Sequence, residues 1–146
     1  MNYGPEDATL TVHTTRSGAA AKAGHDLTIV VERWNATYEN QELTFEADSS
    51  SLRVLEGHGG ISSLGDEEKA AIKQTIDEEI LKGQPIVYRG GELTLNGVTR
   101  PVEYRFDGTE GRAEIKQTDF KLKPYSALFG TLKVADVVEV KVRTNG

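Results

Sequence analysis

The sequence predicts an all-β protein with one helical insertion, and three observations predict it. Apolar and polar residues alternate with period two along most of the chain, the pattern of half-buried strands. An Asn-Gly pair, Asn96-Gly97, sits between two such runs. The alternation gives way once, in mid-chain, to a helical period.

Leu10 and Val12 alternate with Thr9, Thr11 and His13, and Leu27, Ile29 and Val31 with Thr28, Val30 and Glu32. Leu43, Phe45 and Ala47 stand against Thr44, Glu46 and Asp48. Leu93 and Leu95 precede Asn96-Gly97, and Val98, Val102, Tyr104 and Phe106 follow it. Asn-Gly suits the two positive-φ positions of a type I′ turn, which makes this segment a hairpin. Ala113 and Ile115 mark a further strand, and Val138, Val140 and Val142 the last. Trp34 is read as a packing anchor closing the second strand.

The helix is expected over about residues 66–82, where Ile72, Ile76 and Ile80 fall on one face. Asp66 is placed to act as its N-cap, Glu67 and Glu68 suit the positive end of its dipole, and Gly83 and Pro85 end it. Strands, one helix, then strands again is the order of an antiparallel sheet with an insertion, not of a βαβ series. About eight strands close into a barrel wide enough for one small ligand, but a sandwich satisfies the same alternation.

Composition narrows the function. The chain of 146 residues fits one domain, spanning 1–146, and has no cysteine. Disulfides, thiolate zinc sites and cysteine nucleophiles are therefore excluded, and a reducing, cytoplasmic setting is the expectation. The first seven residues have neither the basic nor the apolar region of a secretory signal. No apolar run approaches the ~20 residues of a membrane-spanning helix. Seventeen basic against 23 acidic residues give a net charge of −6, which disfavours a nucleic-acid partner. His13, His25 and His58 lack metal-ligand spacing, and Gly57-His58-Gly59-Gly60 has no nucleophile motif beside it. No catalytic residue, metal or cofactor is expected.

Three segments decide between barrel and sandwich. They are Ala23-Gly24-His25-Asp26-Leu27-Thr28-Ile29, the hairpin from Leu93 to Val102, and the run from Thr118 to Val134 with Asp136-Val137-Val138-Glu139-Val140 after it. These resemble the YceI-like family of lipocalin-like, polyisoprenoid-binding proteins, nearest its short bacterial branch without a signal sequence. The resemblance covers nearly the whole chain. It implies a single antiparallel, lipocalin-like β-barrel of about eight strands with an elongated apolar cavity for an isoprenoid or fatty chain. Two positions depart from the family pattern: Asn96, where histidine is common, and Lys121, where glycine is usual and where a tight turn is affected.

With that resemblance, the inward set Leu27, Ile29, Val31, Phe45, Tyr88, Tyr104 and Phe106 outlines an apolar pocket, although each singly reads as core. Tyr125 and Phe129, beside Pro124, either cover the pocket as a lid or plug the barrel end. His25 either meets a ligand head group or, with Asp26, bonds the neighbouring loop backbone, the second being preferred. Arg100 and Lys123, with Lys121 and Lys133, offer cations to a phosphate or carboxylate. The small-residue loops Ser17–Gly24 and Gly57–Gly65 either gate the mouth or merely connect strands.

The expected function is carriage or sequestration of an amphiphile with a long apolar chain. The alternatives are a small barrel enzyme that folds a polyene or isoprenoid substrate, and a filled barrel acting through its surface. The partner is a small molecule, and any homodimer would have to use the loops or the helix.

Overall fold

The computed structural model describes residues 1–17, 26–58, 64–124, 126–127 and 132–145. Strands β1 (Asn2–Tyr3), β2 (Ala8–His13), β3 (Arg16–Ser17), β4 (Asp26–Val31), β5 (Trp34–Glu39), β6 (Glu42–Ala47) and β7 (Leu52–His58) come first. Helix α1 (Asp66–Thr75) follows and runs on into a π-helical turn, Ile76–Ile80. Then come β8 (Ile86–Arg89), β9 (Glu92–Leu95), β10 (Val98–Pro101), β11 (Tyr104–Phe106), β12 (Glu110–Lys116), β13 (Ser126–Ala127), β14 (Leu132–Val134) and β15 (Val137–Thr144).

Two six-stranded antiparallel sheets dominate, in the orders β1-β5-β6-β8-β9-β10 and β11-β12-β15-β2-β4-β7. A small third sheet joins β13, β14 and β3. The chain passes between the two large sheets at tight corners and, from β7 to β8, through the segment that carries helix α1. Glu32 and Arg33 separate β4 from β5, Asp48–Ser51 separates β6 from β7, and Val102-Glu103 separates β10 from β11. The corner after β6 is fixed locally: Ser50 N–H and hydroxyl both donate to Asp48 Oδ1, at 2.9 and 2.6 Å, and Arg33 Nε donates to Asp48 Oδ2 at 3.0 Å. Trp34 therefore opens β5 rather than closing the preceding strand, because the chain turns at Glu32-Arg33 before reaching it.

The Asn96-Gly97 hairpin forms as expected, with Leu95 paired to Val98 and φ of 55° and 71° at the two turn residues. Asn40-Gln41 and Gly90-Gly91 make two further two-residue turns with both φ positive. Such turns match the right-handed twist of the strands they join. Between β4 and β7 the register slips at Thr28/Ile29, where Leu55 is left without a partner and is 43% exposed. This is a bulge, which bends the strand and turns one apolar side chain outward.

The helix spans the expected residues but begins differently. Gly65, not Asp66, is its N-cap, and no side chain caps it; Asp66, Glu67 and Glu68 form the acidic first turn instead. Lys82 and Gly83, both at positive φ, end it. Ile72, Ile76 and Ile80 all face inward. Lys73 ties the helix to the sheet, its Nζ donating to Ser50 O at 2.9 Å and Leu52 O at 2.8 Å. No helix among the described residues is long and apolar enough to cross a membrane.

Candidate ligand cavity

A cavity of about 690 Å³ lies between the two large sheets and helix α1. Its origin is visible in the burial pattern. Leu10, Leu27, Ile29, Val31, Leu52 and Leu93 are buried, as core residues should be. Val12, Phe45, Tyr104, Val138, Val140 and Val142 point to the same interior yet are only partly buried. Apolar side chains on an inward face keep accessible surface only where nothing packs against them, since filled protein interiors are close-packed. The interior is therefore hollow.

Leu27, Ile29, Val31, Phe45, Tyr88, Tyr104 and Phe106, the seven described residues of the expected pocket, all line this cavity. His25, Tyr125 and Phe129 lie outside the described residues, as do most of the two small-residue loops, and Lys133 is described only as a strand residue. Arg100 and Lys123 are exposed and do not belong to the wall; Arg100 donates to the Thr99 carbonyl at 2.9 Å. Asp26 Oδ1 accepts the backbone N–H of Arg16, in β3, at 2.8 Å.

Sequence reasoning passed over other wall residues. Val138, Val140 and Val142 carried the same inward parity as those chosen, and Ile72, Ile76 and Ile80 the same helical face. Tyr3, Trp34 and Tyr38 sit on strands whose alternation is too short or too polar to be recognised, Trp-Asn-Ala-Thr-Tyr-Glu in the case of β5.

Polar groups in the wall are largely spent on the fold. Thr14 exchanges bonds with Leu27, its N–H donating to Leu27 O at 3.0 Å while its hydroxyl accepts Leu27 N–H at 3.2 Å. Gln117 Nε2 donates to Ala135 O at 3.1 Å, and the Tyr88 hydroxyl to Val102 O at 2.7 Å. The Tyr88 and Tyr104 rings meet edge to face at 5.8 Å. Burial raises both phenols above the ordinary tyrosine range; Tyr104 and Glu103 add to the effect on Tyr88, and Tyr38 adds to that on Tyr104. Both hydroxyls are neutral donors at physiological pH. Trp34 packs on Phe45 with ring centroids 6.1 Å apart, and its Nε1 is buried without a hydrogen-bond partner. Among the described residues no group of His, Cys, Asp or Glu could hold a metal ion.

A mostly β protein of two antiparallel sheets around an apolar hollow is the class that this geometry defines. The YceI-like domain matches residues 5–145, so the chain belongs to the YceI-like family. No curated protein matches the sequence. Among solved structures, the fold resembles the crystal structure of BcnA from Burkholderia cenocepacia, with a TM-score of 0.53 and 16% sequence identity over 94% of each chain.

Proposed function

We propose that this protein binds an amphiphile with a long apolar chain inside the cavity, as a carrier or sequestering protein. The observation that carries the reading is the hollow interior: inward-facing Val138, Val140 and Phe45 keep accessible surface beside about 690 Å³ of space. A cavity of that size is within the usual range for small-molecule sites. Burying an apolar chain there gains about 25 cal/mol per Å², so affinity needs few polar contacts. Membership of a family known for polyisoprenoid binding supports the same class of ligand. The pocket residues would be Leu27, Ile29, Val31, Phe45, Tyr88, Tyr104 and Phe106. The absence of cysteine supports a reducing, cytoplasmic setting.

The two sheets also read as halves of one closed, lipocalin-like barrel and a single domain. What supports this is the order of pairing. Taking β1/β2, β4/β5, β6/β7 and β10/β11 as bent continuous strands, each pairs with the next through β8, β9, β12 and β15 and back to β2. Counted this way the order of pairing runs full circle, which supports closure, while β1, β10, β11 and β7 are the outer strands of their sheets.

The test is native mass spectrometry of the purified protein, followed by organic extraction. A bound isoprenoid or fatty amphiphile near one-to-one occupancy is the expected result. A mass unchanged after incubation with isoprenoid and fatty-acid mixtures would overturn the reading.

A further inference from the structure

We infer that Asn96-Gly97 is a guarded modification site: the side-chain amide of Asn96 latches the β9–β10 hairpin to the 3-10 turn Gln117–Phe120, and its deamidation to aspartate or isoaspartate opens that latch.

The sequence supplies the reacting groups. In an Asn-Gly pair the glycine backbone nitrogen can attack the asparagine Cγ, because no side chain on the glycine stands in the way. The glycine N–H proton goes to a solvent base, and the new N–Cγ bond closes a five-membered succinimide. The Cγ–Nδ2 bond breaks, and Nδ2 leaves as ammonia after taking one proton from solvent. Water then opens the ring at either carbonyl, giving aspartate or isoaspartate, and no oxidant or reductant is needed. Solvent reaches this pair: Gly97 is exposed, and a Cβ built there would meet nothing within 4 Å.

The fold holds the pair back from reaction. Asn96 Nδ2, the leaving group, donates to Phe120 O at 3.1 Å and to Lys121 O at 3.5 Å. Ring closure has to break these bonds. It also has to rotate ψ of Asn96 out of the turn, whose φ values of 55° and 71° are framed by the Leu95–Val98 pair. The accepting segment is anchored in its turn. Phe120 is 2% exposed, and Thr118 donates its N–H to Asp136 Oδ1 at 2.8 Å and its hydroxyl to Oδ2 at 2.6 Å. Reaction therefore proceeds only through brief openings of the hairpin.

Deamidation removes the donor. A carboxylate only accepts hydrogen bonds, so it faces two carbonyls that also only accept. Isoaspartate in addition routes the backbone through the former side chain and lengthens a two-residue turn. Leu122, two residues after Phe120, is buried in the cavity wall, and its segment loosens with the latch.

The experiment ages the purified protein at mildly alkaline pH, folded and in guanidinium above its unfolding transition. Peptide mapping by mass spectrometry reads Asn96 separately from the second Asn-Gly pair, Asn145-Gly146. Asn96 is expected to react at least about tenfold more slowly in the folded protein than in the unfolded chain. Asp136→Ala, which releases Thr118, is expected to recover part of that difference while Asn145 keeps its rate. Asn96→Asp supplies the product directly. Its amides at residues 117–122 are expected to exchange with deuterium at least about tenfold faster than the parent's, while those of β4 keep their protection. Equal rates in the folded and unfolded protein, or no reaction at Asn96 in guanidinium, would overturn the guarded site. An unchanged rate in folded Asp136→Ala, or unchanged exchange in Asn96→Asp, would overturn the latch to Gln117–Phe120. Should Asp136→Ala fail to fold, the exchange of Asn96→Asp decides the latch by itself.

Discussion

Asn96 reaches from the β9–β10 turn to the short 3-10 turn Gln117–Phe120, where its Nδ2 donates to Phe120 O at 3.1 Å. The residue after that carbonyl, Lys121, has φ of 57° and ψ of 23°. The two departures from the family pattern thus meet in space. The side-chain amide at 96 pins a turn whose last residue is a lysine in the left-handed region that favours glycine.

That contact makes opposite predictions for two substitutions. Lys121→Gly removes the steric cost of a Cβ in this conformation and is expected to stabilise the fold by about 1 kcal/mol. Asn96→Gly keeps the positive φ of 55° but loses the hydrogen bond, and is expected to cost about 1 kcal/mol. Urea denaturation checks both, with midpoints moving in opposite directions at constant slope.

Gly111 is required for packing against its register partner Val142 on β15. A Cβ built there would lie 2.7 Å from Val142 Cγ1, too close for either group to stay in place. Gly111→Ala is expected to cost about 1–3 kcal/mol through this overlap. Val142→Ala in the same chain should recover part of the loss, because it removes the clashing methyl. Equal and additive losses in the double-mutant cycle would refute the contact.

The sequence's legibility followed the physics of each element. Strands with one face inward and one outward, such as β2, announced themselves through Leu10 and Val12 against Thr9 and Thr11. So did the helix through Ile72, Ile76 and Ile80, and the one turn with an Asn-Gly pair. Asn40-Gln41 adopts the same double positive φ without a glycine, so composition did not mark it. Trp34 was misplaced because the corner at Glu32-Arg33 is made by tertiary bonds to Ser51: Arg33 N–H donates to Ser51 Oγ at 3.0 Å, and Glu32 N–H to Ser51 O at 2.9 Å. No local pattern encodes these. For the cavity, parity selected inward residues correctly but could not say whether they filled the space. Hollowness is a property of the distance between facing walls, which alternation along one strand does not contain.

The same corner predicts the acid limb of stability. Hydrogen bonds from the Ser50 hydroxyl and backbone N–H, then Arg33, hold the Asp48 carboxyl at about 2, below its ordinary value of 3.8. A folded pKa below the unfolded one means that the unfolded chain binds more protons over this interval. The stabilisation is therefore fully present above about pH 4 and is lost as pH falls towards 2. Asp136, held down first by the Thr118 hydroxyl, acts in the same direction. Asp48→Asn is expected to flatten the fall in thermal midpoint between pH 4 and 2 relative to the parent. An unchanged slope would show that the carboxylate does not contribute.

Lys73 holds the helical wall of the cavity. Its ammonium takes two backbone carbonyls, Ser50 O and Leu52 O, and also pairs with Asp77 Oδ2 at 3.1 Å on the next helical turn. The other Asp77 oxygen is buried without a partner. Removing the cation as Lys73→Met therefore strips the carbonyls and leaves a carboxylate with no opposing charge, a cost of about 1–3 kcal/mol. The loss should be local, because outside the helix the contact reaches only Ser50 and, at the start of β7, Leu52. Amides of residues 66–80 are expected to exchange with deuterium about tenfold faster or more, while those of β12 and β15 keep their protection. Asp77→Asn added to Lys73→Met should recover part of the protection by removing the stranded charge. Since Ile72 and Ile76 on this helix form part of the cavity wall, a bound apolar chain should also leave the variant faster. Faster exchange in the helix with unchanged release would place the ligand's route elsewhere, between the strand ends.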